Sequence, residues 1–187
     1  MNRDEQIRQA AYDILGNEGL EALHARTVAA KLGINHATVH YYFARRIDLL
    51  VAVAEYALHQ LIRDRVQFQK GARGHRQKIE NEIALAEAYC RPQSRFVKVL
   101  AGLYVAGIEY PQIRAKLGSI WDEWKGFIEE QLTKAKAADA LKADSPYADA
   151  ELLMATLFGM GIASHMLEDK FEPQRHLDTV FNSLLGE

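Results

Sequence analysis

Gly33 lies between two short segments whose apolar residues recur at helical spacing, and it restricts what the surrounding chain can become. Val28, Ala29 and Leu32 form one apolar face before it, while Val39 and Phe43, four residues apart, form another after it. Glycine enters the left-handed backbone region without a Cβ penalty, so a helix can stop there and the chain can turn sharply. Ile34 is apolar beside the turn, and Asn35 is a favourable N-cap. Helices are therefore expected at 27–32 and 36–43, with small Ala29 where they approach each other. These are the proportions of a helix–turn–helix. The outward positions of the second helix are His36, Ala37, Thr38, His40, Tyr41 and, in part, Tyr42. They are flat or hydrogen-bonding side chains, not the Glu/Lys mixture of a solvated face, and a DNA major groove accepts such a helix.

Charge is distributed to match. The formal net charge of the 187 residues is only −2, but His24 to Arg46 holds Arg26, Lys31, Arg45 and Arg46, three histidines and no acid. A local basic face, not a basic average, is what nucleic-acid binding requires.

Elsewhere no run alternates with the period of a strand, whereas helical periodicity is everywhere. Ile7, Ala10, Ala11, Ile14 and Leu15 share a stripe that stops at Gly16 to Gly19. A fourth helix starts near Arg46 to Asp48 and ends where Ile62, Val66 and Phe68 are expected to pack inward. Further helices are expected at about 75–90, 94–108, 111–139, 147–167 and 173–185. Pro111, Pro146 and Pro173 stand where prolines favour the first turn of a helix. The expected class is all-α. A three-helix head (1–47) is joined by a long helix to a helical body (48–187).

The stretch from Gly19 to Glu55 resembles the DNA-binding domain of TetR-family transcriptional repressors. The resemblance is carried by Gly19, Arg26, Val28, Ala29, Gly33, Ile34, Ala37, Thr38, Val39, Tyr42, Phe43 and Leu49 or Leu50. Beyond it only the all-helical plan and length agree. Several positions depart from the pattern: His24 stands where Thr or Ser normally caps, His40 replaces a tyrosine, and Arg46 replaces a lysine. Arg45 replaces a small capping residue and Ile47 a common acid. The resemblance implies base or near-base contacts from Arg26, His36, Ala37, Thr38 and Tyr41, with Thr38, His40, Tyr42 and Arg46 on the backbone. His36 and His40 have the spacing of a zinc pair, but no third ligand is evident and the family uses no metal here. No cofactor is implied.

A DNA-reading head on a helical body implies a sensor. The 147–167 segment is apolar almost all round and is expected to be buried on more than one side. Ala155, Gly159 and Ala163 make a small-residue stripe that admits a second helix closely. With Leu177, Val180, Phe181 and Leu184 they are assigned to a homodimer interface, since the resembled family dimerises through its last two helices; packing within one subunit is the alternative. Leu103, Tyr104, Trp121, Trp124, Phe127, Met154, Phe158 and His165 are candidates for an effector pocket, although each also reads as ordinary core.

The expected function is a repressor that binds a palindromic operator as a homodimer and is released by a small hydrophobic or aromatic effector. The alternative is a helical ligand-binding or protein-interaction module with weakened DNA binding. Enzyme readings fail for want of a phosphate loop, a nucleophile elbow, a metal cluster or a triad, and adjacent pairs such as Glu129-Glu130 diverge on a helix. The charged N-terminus and single cysteine, Cys90, fit the cytoplasm. The apolar run 152–167 contains Ser164 and His165 and is shorter than the roughly 20 residues a membrane-spanning helix needs.

Overall fold

Helical caps and breakers divide the chain into elements close to those expected. The computed structural model describes residues 2–138, 140–142, 145–167 and 170–185. Among these are α1 (Arg3–Glu18), α2 (Ala25–Leu32), α3 (His36–Tyr42), α4 (Arg46–Phe68) and α5 (Gly74–Cys90). They are followed by α6 (Phe96–Glu109), α7 (Pro111–Ala137), α8 (Ala150–Met166) and α9 (Pro173–Leu185), with 3-10 turns at Leu20–Ala22 and Pro146–Ala148 and no strand among the described residues. Pro111 and Pro173 open their helices as expected, but Pro146 opens the short turn instead. The eighth helix starts later than expected because Asp149 caps it, its carboxylate accepting from the Leu152 N–H at 2.9 Å. The expected ends at 139 and in the 142–146 turn lie partly outside the described residues.

Two compact units result. The first comprises the chain up to Leu61 together with Arg95–Ile120, and the second comprises Ile62–Ser94 and the chain from Trp121 onward. In the first, α1 packs against both α2 and α6, and α2 packs against α3. The expected stripe of α1 is its core: Ile7, Ala10, Ala11, Ile14 and Leu15 are all buried. Gly33 takes the left-handed conformation (φ 63°, ψ 35°) and ends α2, its N–H meeting the carbonyls of Ala29 and Ala30. The close approach of α1 to α6 depends on glycines. A Cβ on Gly16 would lie 2.9 Å from the Arg95 Cβ, and one on Gly102 would lie 2.9 Å from the Leu15 Cδ1.

In the second unit α5 packs against α8 and α9. Ile79, Ile83, Leu153, Leu157, Leu177, Val180 and Leu184 are buried there. The C-terminal carbonyls of α9 gain external donors, as helix ends require: Arg76 Nη1 reaches the Leu185 oxygen at 3.2 Å, and the Lys142 N–H reaches that of Leu184 at 3.0 Å. Within the single chain α8 leaves one face open, with Leu152 44% and Met166 75% exposed.

The two glycines should respond differently to a methyl group. Gly16→Ala meets a Cβ close to backbone, which cannot swing away, and should cost about 1–3 kcal/mol of stability in urea denaturation. Gly102→Ala meets only the movable end of Leu15 and gains roughly 0.5–1 kcal/mol of helix preference, so it should be near neutral.

Candidate nucleic-acid interface and the buried cluster of the body

The outward face of α3 is assembled by its inward one. Val39 is fully buried and Phe43 is 6% exposed, and the Arg8 guanidinium of α1 lies 5.4 Å over the Phe43 ring. Asn35 caps the helix, its Oδ1 accepting from the Ala37 N–H at 2.8 Å. With that side held, His36, Ala37, His40 and Tyr41 are exposed, Thr38 is half-buried, and Tyr42 is 42% exposed. Tyr41, at 83%, is the most prominent. The His36 and His40 rings meet edge to face at 6.1 Å between centroids, and those of Tyr41 and Tyr42 do so at 5.3 Å. Among the described residues, no group of three His, Cys, Asp or Glu side chains could hold a metal ion.

The cations beside this face are not equivalent. Arg46 Nε donates to the Leu23 carbonyl at 3.1 Å and Nη2 to that of Leu20 at 2.5 Å, while Glu21 stands 3.9 Å away. Arg46 thus fastens the start of α4 to the turn before α2, a structural role beyond the phosphate contact expected of it. Arg45 pairs with Asp48 at 2.8 Å, and Asp48 Oδ2 also accepts the Arg45 backbone N–H at 2.9 Å, closing the first turn of α4. That pairing holds the Asp48 carboxyl below, and the Arg45 guanidinium above, their ordinary values. Arg26 is exposed on α2. His24 is the N-cap residue of α2, and its backbone N–H donates to the Thr27 hydroxyl at 3.2 Å. Side chains of His24, Arg26, His40, Arg45 and Arg46 line a cleft of about 390 Å³ whose apolar walls include Phe43 and Leu49.

The candidate effector residues divide between the units. Leu103 and Tyr104 lie in the first, Leu103 fully buried and Tyr104 38% exposed. Trp121, Trp124, Phe127, Met154, Phe158 and His165 lie in the second. Met154 is fully buried, whereas Trp121, Phe127 and Phe158 are half-buried. Both ring nitrogens of His165 face backbone oxygens, Nδ1 that of Gly161 at 2.9 Å and Nε2 that of Ser94 at 3.2 Å. Trp124 turns its indole N–H onto Glu82 Oε2 at 3.2 Å.

Glu82 belongs to a buried polar cluster that the sequence reading missed. Arg65 Nε donates to Glu82 Oε1 at 3.1 Å, Arg65 Nη1 reaches Glu123 at 3.5 Å, and Gln69 Nε2 lies 3.3 Å from Glu82 Oε1. The Arg65 guanidinium stacks 4.6 Å over the Phe127 ring. Burial pushes the Glu82 carboxyl up, against the opposing pull of Arg65, Gln69 and Trp124. The expected inward packing of Ile62, Val66 and Phe68 is overturned, because they are 37%, 62% and 37% exposed while Arg65 is 6% exposed. The signal was available. Arg65 follows Leu61 by four on the buried stripe of α4, and Glu82 stands between Ile79 and Ile83 on that of α5.

Residues 7–53 match the family model described as bacterial regulatory proteins, tetR family. The match runs from α1 into α4 and so takes in the helix–turn–helix, which is similar to that of those regulatory proteins. Solved structures agree with the fold over nearly the whole chain. A transcriptional regulator from Saccharomonospora viridis in complex with choline superposes with a TM-score of 0.82 at 20% identity, covering 98% of this chain and 98% of its own. A TetR transcription regulator from Chloroflexus aurantiacus gives 0.80 at 17% identity, over 97% and 96%. The ketosteroid transcriptional regulator of Mycobacterium tuberculosis gives 0.69 at 12%, over 100% and 96%. Comparison with curated proteins yields no match. No helix among the described residues is long and apolar enough to cross a membrane.

Two substitutions separate structural from reading roles in the TetR-type head. Arg46→Ala removes charge-assisted hydrogen bonds to two carbonyls and should lower stability by about 1.5–3 kcal/mol. Tyr41→Ala should leave stability within about 0.5 kcal/mol yet relax sequence preference in binding-site selection. In the buried cluster, Arg65→Met leaves Glu82 without its main counter-charge and should cost about 3–5 kcal/mol by chemical denaturation. The double change Arg65→Met with Glu82→Leu should recover most of that loss.

Proposed function

We propose that this protein is a TetR-type transcriptional regulator, a cytoplasmic homodimeric repressor. It binds a palindromic operator through α3 and leaves it when a small hydrophobic or aromatic effector enters the body. The observation that carries the DNA-reading half is the exposed face of His36, Ala37, His40 and Tyr41 on a helix whose opposite side is fully buried. Residues 1–47 act as the reading head and 48–187 as the sensing and dimerising body. Arg26, His36, Ala37, Thr38 and Tyr41 face bases, while Thr38, His40, Tyr42 and Arg46 meet the backbone.

The homodimer reading is supported by the open face of α8. Ala155 and Gly159 are exposed, and a Cβ on Gly159 would meet nothing within 4 Å. Half-buried Ala163 and Phe181 extend the same reading, whereas Leu177, Val180 and Leu184 are already buried in the chain and so fit the alternative, packing within one subunit. A two-fold dimer places two reading helices about one DNA turn apart, which matches a palindrome.

In the second unit, half-buried Trp121, Phe127 and Phe158 support an apolar or aromatic effector, with Trp124, Met154 and His165 as further candidates there. The Phe127 ring is already covered by the chain's own cation, Arg65, which disfavours a cationic ligand there. Release is coupled through α4, which begins at Arg46, and through α6, which packs on α1 of the head.

The alternative, a helical binding module with weakened DNA affinity, draws its support from Arg45 and Arg46, both bonded within the chain. Gel-shift titration with duplexes selected from random DNA decides between them. The repressor reading expects binding at least about 10³-fold tighter than to random sequence and weakening steeply with salt; equal affinity for all sequences supports the alternative. Gly159→Leu should fold normally, because the single chain has room for it, but should sediment as a monomer where the parent protein sediments as a dimer.

A further inference from the structure

The cleft beside α3 combines fixed cations with groups whose charge depends on pH. Its walls come from the start of α2 (His24, Ala25, Arg26), the end of α3 (His40, Phe43) and the start of α4 (Arg45, Arg46, Leu49). Two of its three guanidiniums already have partners. Arg45 is paired with Asp48, and Arg46 is bonded to the Leu20 and Leu23 carbonyls with Glu21 nearby. Behind Phe43, Arg8 is held by Asp4 and Glu55 at 2.7 Å each. Arg26 is the cleft's third permanent charge and is exposed, with Lys31 exposed further along α2. His24 and His40 are both exposed, and His36 stacks edge-on against His40 from the preceding turn. Among the described residues, the Ala44 carbonyl stands 3.4 Å from His40 Nδ1. Nε2 is therefore the nitrogen available to an anion.

We propose that DNA binding is coupled to protonation of His24 and His40, so that the protein holds DNA more tightly as pH falls. The proposal rests on the DNA-binding reading above and adds a regulatory input to it. A phosphodiester at the cleft mouth favours a positive charge on either imidazole, because opposite charges attract. Because Arg45 and Arg46 are partly neutralised by their own partners, the imidazoles are the groups whose charge can still rise to meet the phosphate. Imidazole is the side chain whose ordinary titration lies between about pH 5 and 8, so the exchange falls within a physiological range. A state that binds more protons is favoured as pH falls, and each proton fully taken up strengthens association about tenfold per pH unit.

The test is the affinity of the full-length protein for a fluorescent duplex enriched from random-sequence DNA, at about pH 7.5 and about pH 6.0 and constant ionic strength. The parent protein should bind about tenfold tighter or more at the lower pH. His24→Gln with His40→Gln keeps polarity but cannot take up a proton. That variant should bind with affinities within about twofold of each other at the two pH values, and circular dichroism melts should confirm that it folds. Binding by the parent that does not change with pH, or a pH dependence that survives in the double variant, overturns the proposal while leaving DNA binding intact. Absence of binding at either pH removes the DNA-binding reading itself, and the proposal with it.

Discussion

The reading head depends on one side chain that looks, in sequence, like a surface charge. In the turn before α2 the Leu20 carbonyl accepts the Leu23 N–H at 3.2 Å, and the planar fork of Arg46 donates both to it and to the Leu23 carbonyl from the first residue of α4. A lysine at this position would offer a point charge, not two donors in fixed geometry. The bond pair fixes where α4 begins relative to α2. Since α3 is the segment between them, it also limits how α3 can be carried. Val39 and Phe43 supply the burial that holds α3, and Arg46 supplies the register.

The second unit uses charge differently. Arg65 and Glu82 are among its most buried side chains, and they bring Gln69, Glu123, Trp124 and Phe127 into one cluster. Ion pairs of this kind are poor sources of net stability, because desolvating both charges offsets most of their attraction. Their effect is directional. A guanidinium that must meet a carboxylate, a second carboxylate and a ring face admits few arrangements of α4, α5 and α7 within the unit.

Much of this was legible beforehand. The helical plan, the turn at Gly33, the cap at Asn35 and the division of α3 into a buried and an exposed face follow from local rules. A left-handed turn favours glycine, an N-cap favours asparagine, and apolar residues four apart share a side. Less visible were the roles of charged residues. Arg46 reads as a phosphate contact and Arg65 attracts no notice, since nothing local reveals which carbonyl or carboxylate will stand opposite an arginine. Apolar type alone proposes an inward face for Ile62, Val66 and Phe68, but in this stretch of α4 the buried position is taken by Arg65, bonded to Glu82.

What the sequence determined alone was therefore the set of elements and the chemistry of the exposed face of α3, since both depend on neighbours within a few residues. The tertiary structure decided which cations are already engaged, which aromatic rings are covered, and which side of α8 stays open. Those outcomes depend on pairs such as Arg46 with Leu20, Arg65 with Glu82 and Gly16 with Arg95, each far apart along the chain. Local periodicity carries no information about such pairs. They arise only when the helices pack and each buried polar group must find its partner.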